Sequence, residues 1–156
     1  MQTSKQCGIV SKCNSLQDAF DAIRLYKSFM EDKSYLIEVD EDEALKMMST
    51  KIRSGSHFFL YRVNGRIRGW ILATKIRLPY FTGHSLYIEY YCSDLLGFQS
   101  ISCMRALHEE IVKSARICKV ERVVATCGWF DTNRKYARAL QMLGWRIDNA
   151  LCVNVL

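Results

Sequence analysis

Proline is almost missing from this chain. Pro79 is the only one, and no Gly/Ser-rich stretch interrupts the 156 residues, so nothing in the sequence reads as a linker. One domain is expected over 1–156, since a domain of about this length already buries roughly 70% of the surface its unfolded chain exposes. Long apolar runs are lacking as well. Trp70-Ile71-Leu72-Ala73 is far short of the ~20 residues a membrane-crossing helix needs, and no basic-then-apolar leader opens the chain, so a soluble, cytoplasmic protein with no membrane partner is expected. Paired cysteines are absent too: Cys7, Cys13, Cys92, Cys103, Cys118, Cys127 and Cys152 are odd in number and never spaced C-x-x-C. That pattern argues against a disulfide framework or a zinc site and for small buried hydrophobes in a reduced compartment.

What is present is an ordinary globular balance, 49% hydrophobic and 24% charged, with a formal net charge of +6. The balance excludes a disordered chain, and the charge excess suits an anionic partner.

The first dozen residues are polar, and 1–14 are expected to be loose. From Ser15, with Asp18 three residues on as a variant capping box, Leu16, Phe20, Ile23, Tyr26 and Met30 recur at helical spacing. A second helix is predicted from Asp40 as N-cap, with Glu43 three residues later and Ala44, Met47, Met48 and Ile52 on one face. Aromatic and β-branched residues then fill 57–63, Asn64-Gly65 makes a tight turn, and an extended pattern resumes over 67–78. A third strand is predicted over 85–92, giving an antiparallel meander. The loop 93–100 leads into a helix starting near Ser100, with Ile101, Met104, Leu107, Ile111 and Ala115 on its apolar face. A buried strand over 120–125, a helix over about 132–143 ended by Gly144, and a closing strand over 151–156 complete the chain.

Across the last helix and its end runs an asparagine, ten residues, glycine, aromatic pattern: Asn133, then Gly144 and Trp145. With this order of elements, the chain over about 16–156 resembles the GNAT superfamily of acyl-CoA N-acyltransferases. The resemblance implies an α+β fold, a mixed and mostly antiparallel sheet of about six to seven strands flanked by about four helices. It also implies acetyl-CoA as co-substrate and a primary amine, free or on a protein, as acceptor. Tyr90, Tyr91 and Cys92 would offer backbone groups to the pantetheine arm, as another strand would. The turn into the following helix, with Gly97, Phe98, Gln99, Ser100 and Ile101, would hold the diphosphate at a helix N-terminus; Asn133 and Arg134 lie on the helix near the ribose phosphate.

Two departures from the family pattern stand out. Small residues normally line the phosphate loop, whereas here only Gly97 is small and Asp94 stands where a basic or amide residue is usual; an Asp there would repel a diphosphate. The family's frequent general acid, a tyrosine seven residues after the asparagine, is Leu140. Tyr136, one turn earlier, is either a substitute acid or a packing aromatic.

For a general base the resemblance points first to Glu89, because its strand is the one where several family members place a glutamate near the substrate amine; beside tyrosines it can take an ammonium proton, the alternative being a solvent-facing residue paired with a neighbouring Arg. His84 is a second candidate; His57 reads as a strand-edge residue and His108 as part of a solvated helix face. Arg62, Arg66 and Arg68 around the hairpin, and Arg134, Lys135 and Arg138 on the late helix, are basic groups that either meet phosphate or face solvent. Nucleic acid is a conceivable partner, though no recognition motif accompanies the charge. The competing function is a GNAT-like domain that has lost catalysis and serves as a structural or interaction module. The helix-rich N-terminal half, with Ser34-Tyr35, also resembles GNAT-like proteins of tailed bacteriophages, in which case a virion location would replace a cytoplasmic one.

Overall fold

A computed structural model describes residues 8–32, 38–79, 81–126, 135–148 and 151–156. Its core is one seven-stranded sheet in the order β1-β2-β3-β4-β5-β7-β6. The strands are β1 (Ile9–Lys12), β2 (His57–Val63), β3 (Arg66–Ile76), β4 (Ser85–Ser93), β5 (Arg122–Thr126), β6 (Arg146–Asp148) and β7 (Leu151–Val155). The helices are α1 (Leu16–Asp32), α2 (Glu41–Arg53), α3 (Gly97–Ile117) and α4 (Lys135–Met142). Every pairing is antiparallel except β4 with β5, and α3 supplies the long crossover that a parallel pair requires. The expected α+β class and mixed sheet are what the structure has.

Local chemistry explains the element boundaries. Ser15 Oγ accepts from the Asp18 amide (3.1 Å) at the start of α1, and Asp40 Oδ1 accepts from the amides of Asp42 and Glu43 at the start of α2. Each cap satisfies helix donors that would otherwise be orphaned. Asn64 and Gly65 both take the left-handed conformation that a tight hairpin turn demands. The Gly144 amide donates to the Gln141 carbonyl and the Trp145 amide to the Leu140 carbonyl, closing α4 and turning Trp145 into the core.

The sheet is covered on both faces, which is why Gly69–Ala73 of β3 is buried without interruption. Trp70 and Leu72 face α1 and α2 with Ile23, Met48, Phe58 and Cys92. Ile71 and Ala73 face α3 and α4 with Leu107, Ile111, Leu140 and Trp145. Gly69 lets α3 come close: a Cβ built there would lie 2.5 Å from Cys103 Sγ and 3.1 Å from the Cys92 carbonyl oxygen. Among the described residues, no helix is long and apolar enough to cross a membrane.

Three expectations are corrected. Residues 9–12 are not loose but form the edge strand β1, paired with β2 from Ile9↔Arg62 to Lys12↔Phe59, so a strand precedes both helices. The helix expected near Ser100 begins at Gly97. The short strand β6, which has no counterpart in the expected order, pairs outside β7. The start expected for the last helix (132–134) and Ser34-Tyr35 lie outside the described residues.

Candidate functional site

Strand β4 changes partner along its length. Ser85 to Ile88 pair with Arg122 to Ala125 of β5, but β4 runs on to Ser93, and among the described residues Glu89 to Ser93 have no neighbour on that edge. A β-strand directs alternate backbone N–H and C=O groups to each side, so this segment carries backbone hydrogen-bonding groups on an edge that no described residue pairs. Tyr90, Tyr91 and Cys92 lie within it.

At the start of the open segment is a bulge. Leu72 pairs with Tyr90 while Ala73 pairs with Ile88, leaving Glu89 as an extra residue on β4. A bulge re-aims side chains, and here it puts two consecutive residues on the α1–α2 face. Tyr90 makes edge contacts with Tyr26 of α1 and sits beside Trp70. Glu89 Oε1 accepts from Lys51 Nζ of α2 at 2.6 Å, with the two side chains only 19% and 24% exposed. The partner of Glu89 is thus a lysine reaching over the sheet, not the arginine weighed from sequence.

At the far end of the open segment, Asp94 to Leu96 lead directly into α3. Leu96 gives its N-cap no side-chain acceptor, and the first turn contains no acidic residue. Among the described residues no acceptor lies on the amides of Gly97, Phe98 and Gln99, the donors a helix start leaves unpaired. Nothing lies within 4 Å of a Cβ built on Gly97, and Leu96 and Phe98 point to solvent, 85% and 89% exposed. Asp94 is paired with Arg68, whose Nε donates to both carboxylate oxygens at 2.8 and 3.0 Å. The charge that looked prohibitive in the sequence is therefore compensated by a hairpin arginine. Of the other hairpin arginines, Arg62 pairs with Asp18 at 2.7 Å and Arg66 is exposed. Ser100 and Ile101 follow in the first turns of α3, and the Ser100 amide reaches the Leu96 carbonyl at 3.4 Å.

On the α3–α4 face of the sheet, four aromatic rings meet. Tyr136 of α4 stacks on Tyr91 (5.4 Å, 16°), and its hydroxyl lies 2.7 Å from His108 Nε2. His108 Nδ1 lies 2.7 Å from the Met104 carbonyl oxygen, and Trp145 meets the imidazole edge-on at 5.7 Å. A carbonyl only accepts, so Nδ1 carries the proton, Nε2 is an acceptor, and the Tyr136 hydroxyl donates to it. His108 is 1% exposed. Burial pushes its pKa down to about 4, against a smaller opposing effect of the Met104 hydrogen bond, and burial likewise pushes the Tyr91 phenol well up. The histidine expected on a solvated helix face is thus a neutral core residue. Its spacing was the available signal: it falls four residues after Met104 and three before Ile111, on the apolar face of α3.

The remaining candidates lie elsewhere. His84 is exposed at the end of β4 where β4 is paired with β5, separated from the bulge by Ser85 to Ile88. His57 opens the interior strand β2 and lies 3.7 Å from Cys118 Sγ; burial and Lys12 lower its pKa. Lys135 and Arg138 are exposed on α4, whereas Asn133 and Arg134 lie outside the described residues. Cys13, Cys92 and Cys103 are buried free thiols, and burial raises Cys13 and Cys103 to about 11, so they behave as hydrophobes. Sequence reasoning missed Lys51 and the Arg68–Asp94 pair, both of which join residues distant in the chain.

No protein-family model matches the chain, and no curated protein matches it. Solved structures do. A GNAT-family acetyltransferase from Staphylococcus aureus Mu50 superposes with a TM-score of 0.74 at 16% identity, covering 96% of this chain and 99% of the other. A ribosomal-protein-alanine N-acetyltransferase from Brucella melitensis gives 0.72 at 16% identity, with 95% and 99% covered. A GNAT superfamily phosphinothricin acetyltransferase from Sinorhizobium meliloti, solved in complex with acetyl-CoA, gives 0.74 at 15% identity, with 96% and 89% covered. At such identities the likeness is one of fold, and the chain has the GNAT fold.

Proposed function

We propose that this protein is an N-acetyltransferase that moves the acetyl group of acetyl-CoA to a primary amine by direct attack. The observation that carries the proposal is the edge of β4 from Glu89 to Ser93, which no described residue pairs, running from a bulge with a carboxylate into the N-terminus of α3, which has no side-chain cap. An extended, amide-rich pantetheine arm can add to such an edge through backbone hydrogen bonds. The diphosphate can take the amides of Gly97, Phe98 and Gln99, where the partial positive charge of a helix start favours an anion.

In this reading a backbone N–H of Tyr91 or Cys92 polarises the thioester carbonyl, a preorganised dipole aimed at developing negative charge. Glu89 takes the proton of the acceptor ammonium, directly or through water, and the neutral amine attacks. Tyr136 is the proposed acid for the departing thiolate. Its hydrogen bond to His108 limits that role, because a phenolate would face the lone pair on Nε2. Glu89→Gln is therefore expected to lower kcat/KM by about 100-fold or more and Tyr136→Phe by only about tenfold.

The test is thiol release from acetyl-CoA across a panel of small amines, N-terminal peptides and lysine peptides. Turnover with one acceptor class, reduced by the two substitutions in that order, is the expected outcome. Acetyl-CoA binding with no turnover on any amine would favour the second reading, an interaction module of GNAT fold, for which the exposed Leu96 and Phe98 are the supporting observation.

A further inference from the structure

Lys51 sits beside the proposed base, where an acceptor amine is expected. Its Nζ lies 2.6 Å from Glu89 Oε1 and 3.1 Å from Thr74 Oγ1, above the β3–β4 pair at the bulge. Other ion-paired lysines are differently placed. Lys46 and Lys113 bind glutamates three residues away on their own helices and are 72% and 62% exposed. Lys27 joins α1 to α2, away from the sheet, through Glu41. Lys51 brings a primary ammonium on a flexible four-carbon stem to the carboxylate at the open end of β4.

We infer that Lys51 is a self-acetylation site: the protein transfers an acetyl group from acetyl-CoA to its own Lys51 Nζ. The inference rests on the transferase reading above. Glu89 removes one proton from the ammonium, and the neutral Nζ attacks the thioester carbonyl carbon. The N–C bond forms, the C–S bond breaks, and its electron pair leaves on sulfur. The second Nζ proton goes to the thiolate, and Glu89 returns its proton to water. The net change is Lys51 ammonium plus acetyl-CoA to acetyl-Lys51, free CoA and one proton. An amide carries no charge, so the product cannot pair with Glu89, and the carboxylate becomes available to an external ammonium.

The experiment incubates the whole protein with acetyl-CoA, digests it at intervals and follows acetyl occupancy at Lys51, Lys46 and Lys113 by mass spectrometry. Melting temperature is measured in parallel with and without the thioester. Held next to a bound thioester, Lys51 is expected to react at least about tenfold faster than either exposed lysine, at a rate independent of protein concentration. Glu89→Gln is expected to slow Lys51 by about tenfold or more without changing Lys46 or Lys113. Lys51→Arg keeps the ion pair but removes the acceptor, so acetyl uptake at that position should vanish while the thermal shift persists. A thermal shift with Lys51 no faster than the exposed lysines would overturn the self-acetylation and leave the transferase reading standing. Absence of both shift and acetylation would overturn the two together.

Discussion

At the scale of single residues, His108 links the buried aromatic cluster to pH. Its pKa in the folded protein is about 4, against about 6.5 in an unfolded chain. Between those values the unfolded state binds a proton the folded state refuses, so stability is intact above about pH 6.5 and is lost as pH falls toward 4. The loss is on the order of 3 kcal/mol, read as a falling urea midpoint across that window, and His108→Gln should flatten it. A second prediction concerns Arg68. Arg68→Met would leave Asp94 unpaired at the start of α3, and acetyl-CoA binding by calorimetry should weaken several-fold, whereas Asp94→Asn should not weaken it. Glu89, Tyr136 and Gly97 stand out in the sequence because each has a chemical reason to be where it is. The Lys51–Glu89 and Arg68–Asp94 pairings do not, because an ion pair between side chains 38 or 26 residues apart leaves no periodic trace in the chain.

Elements are legible in proportion to how strongly their own residues dictate them. The Asp40 cap and the Asn64-Gly65 turn carry their conformations locally, and α2 and the β2–β3 hairpin fall where their residues imply. Asp40→Ala should cost about 1 kcal/mol by chemical denaturation, since it removes the acceptor for two α2 amides. Strand β1 is different. Ile9-Val10-Ser11-Lys12 is short and half-exposed, and only its pairing with β2 makes it a strand, a tertiary effect that overrides weak local preference. The start of α3 was misplaced for a related reason: its first turn is solvent-facing, so the apolar period that marks the helix begins later. Close packing gives a further prediction. Gly69→Ala should destabilise by about 1–3 kcal/mol because its methyl group meets Cys103 Sγ, and adding Cys103→Ala should recover part of that loss.

For the whole molecule, the arrangement of the sheet matters more than any side chain. Two helices cover one face and two the other, while among the described residues β5 pairs only with the first part of β4, so Glu89 to Ser93 have no described partner on that edge. How far two strands pair is not written in the sequence of either one. The bulge, the cradle of unpaired amides and the Arg68–Asp94 pair are consequences of how β3, β4 and α3 meet. A net charge of +6 adds a general attraction for an anionic co-substrate, weakened by salt. The most direct measurement is thermal unfolding with and without acetyl-CoA. At ~100 times its dissociation constant the ligand adds about 2.7 kcal/mol, a rise of roughly 5–10 °C for a domain of this size. Such a rise is the expected result; an unchanged melting temperature at millimolar acetyl-CoA would contradict the proposed function.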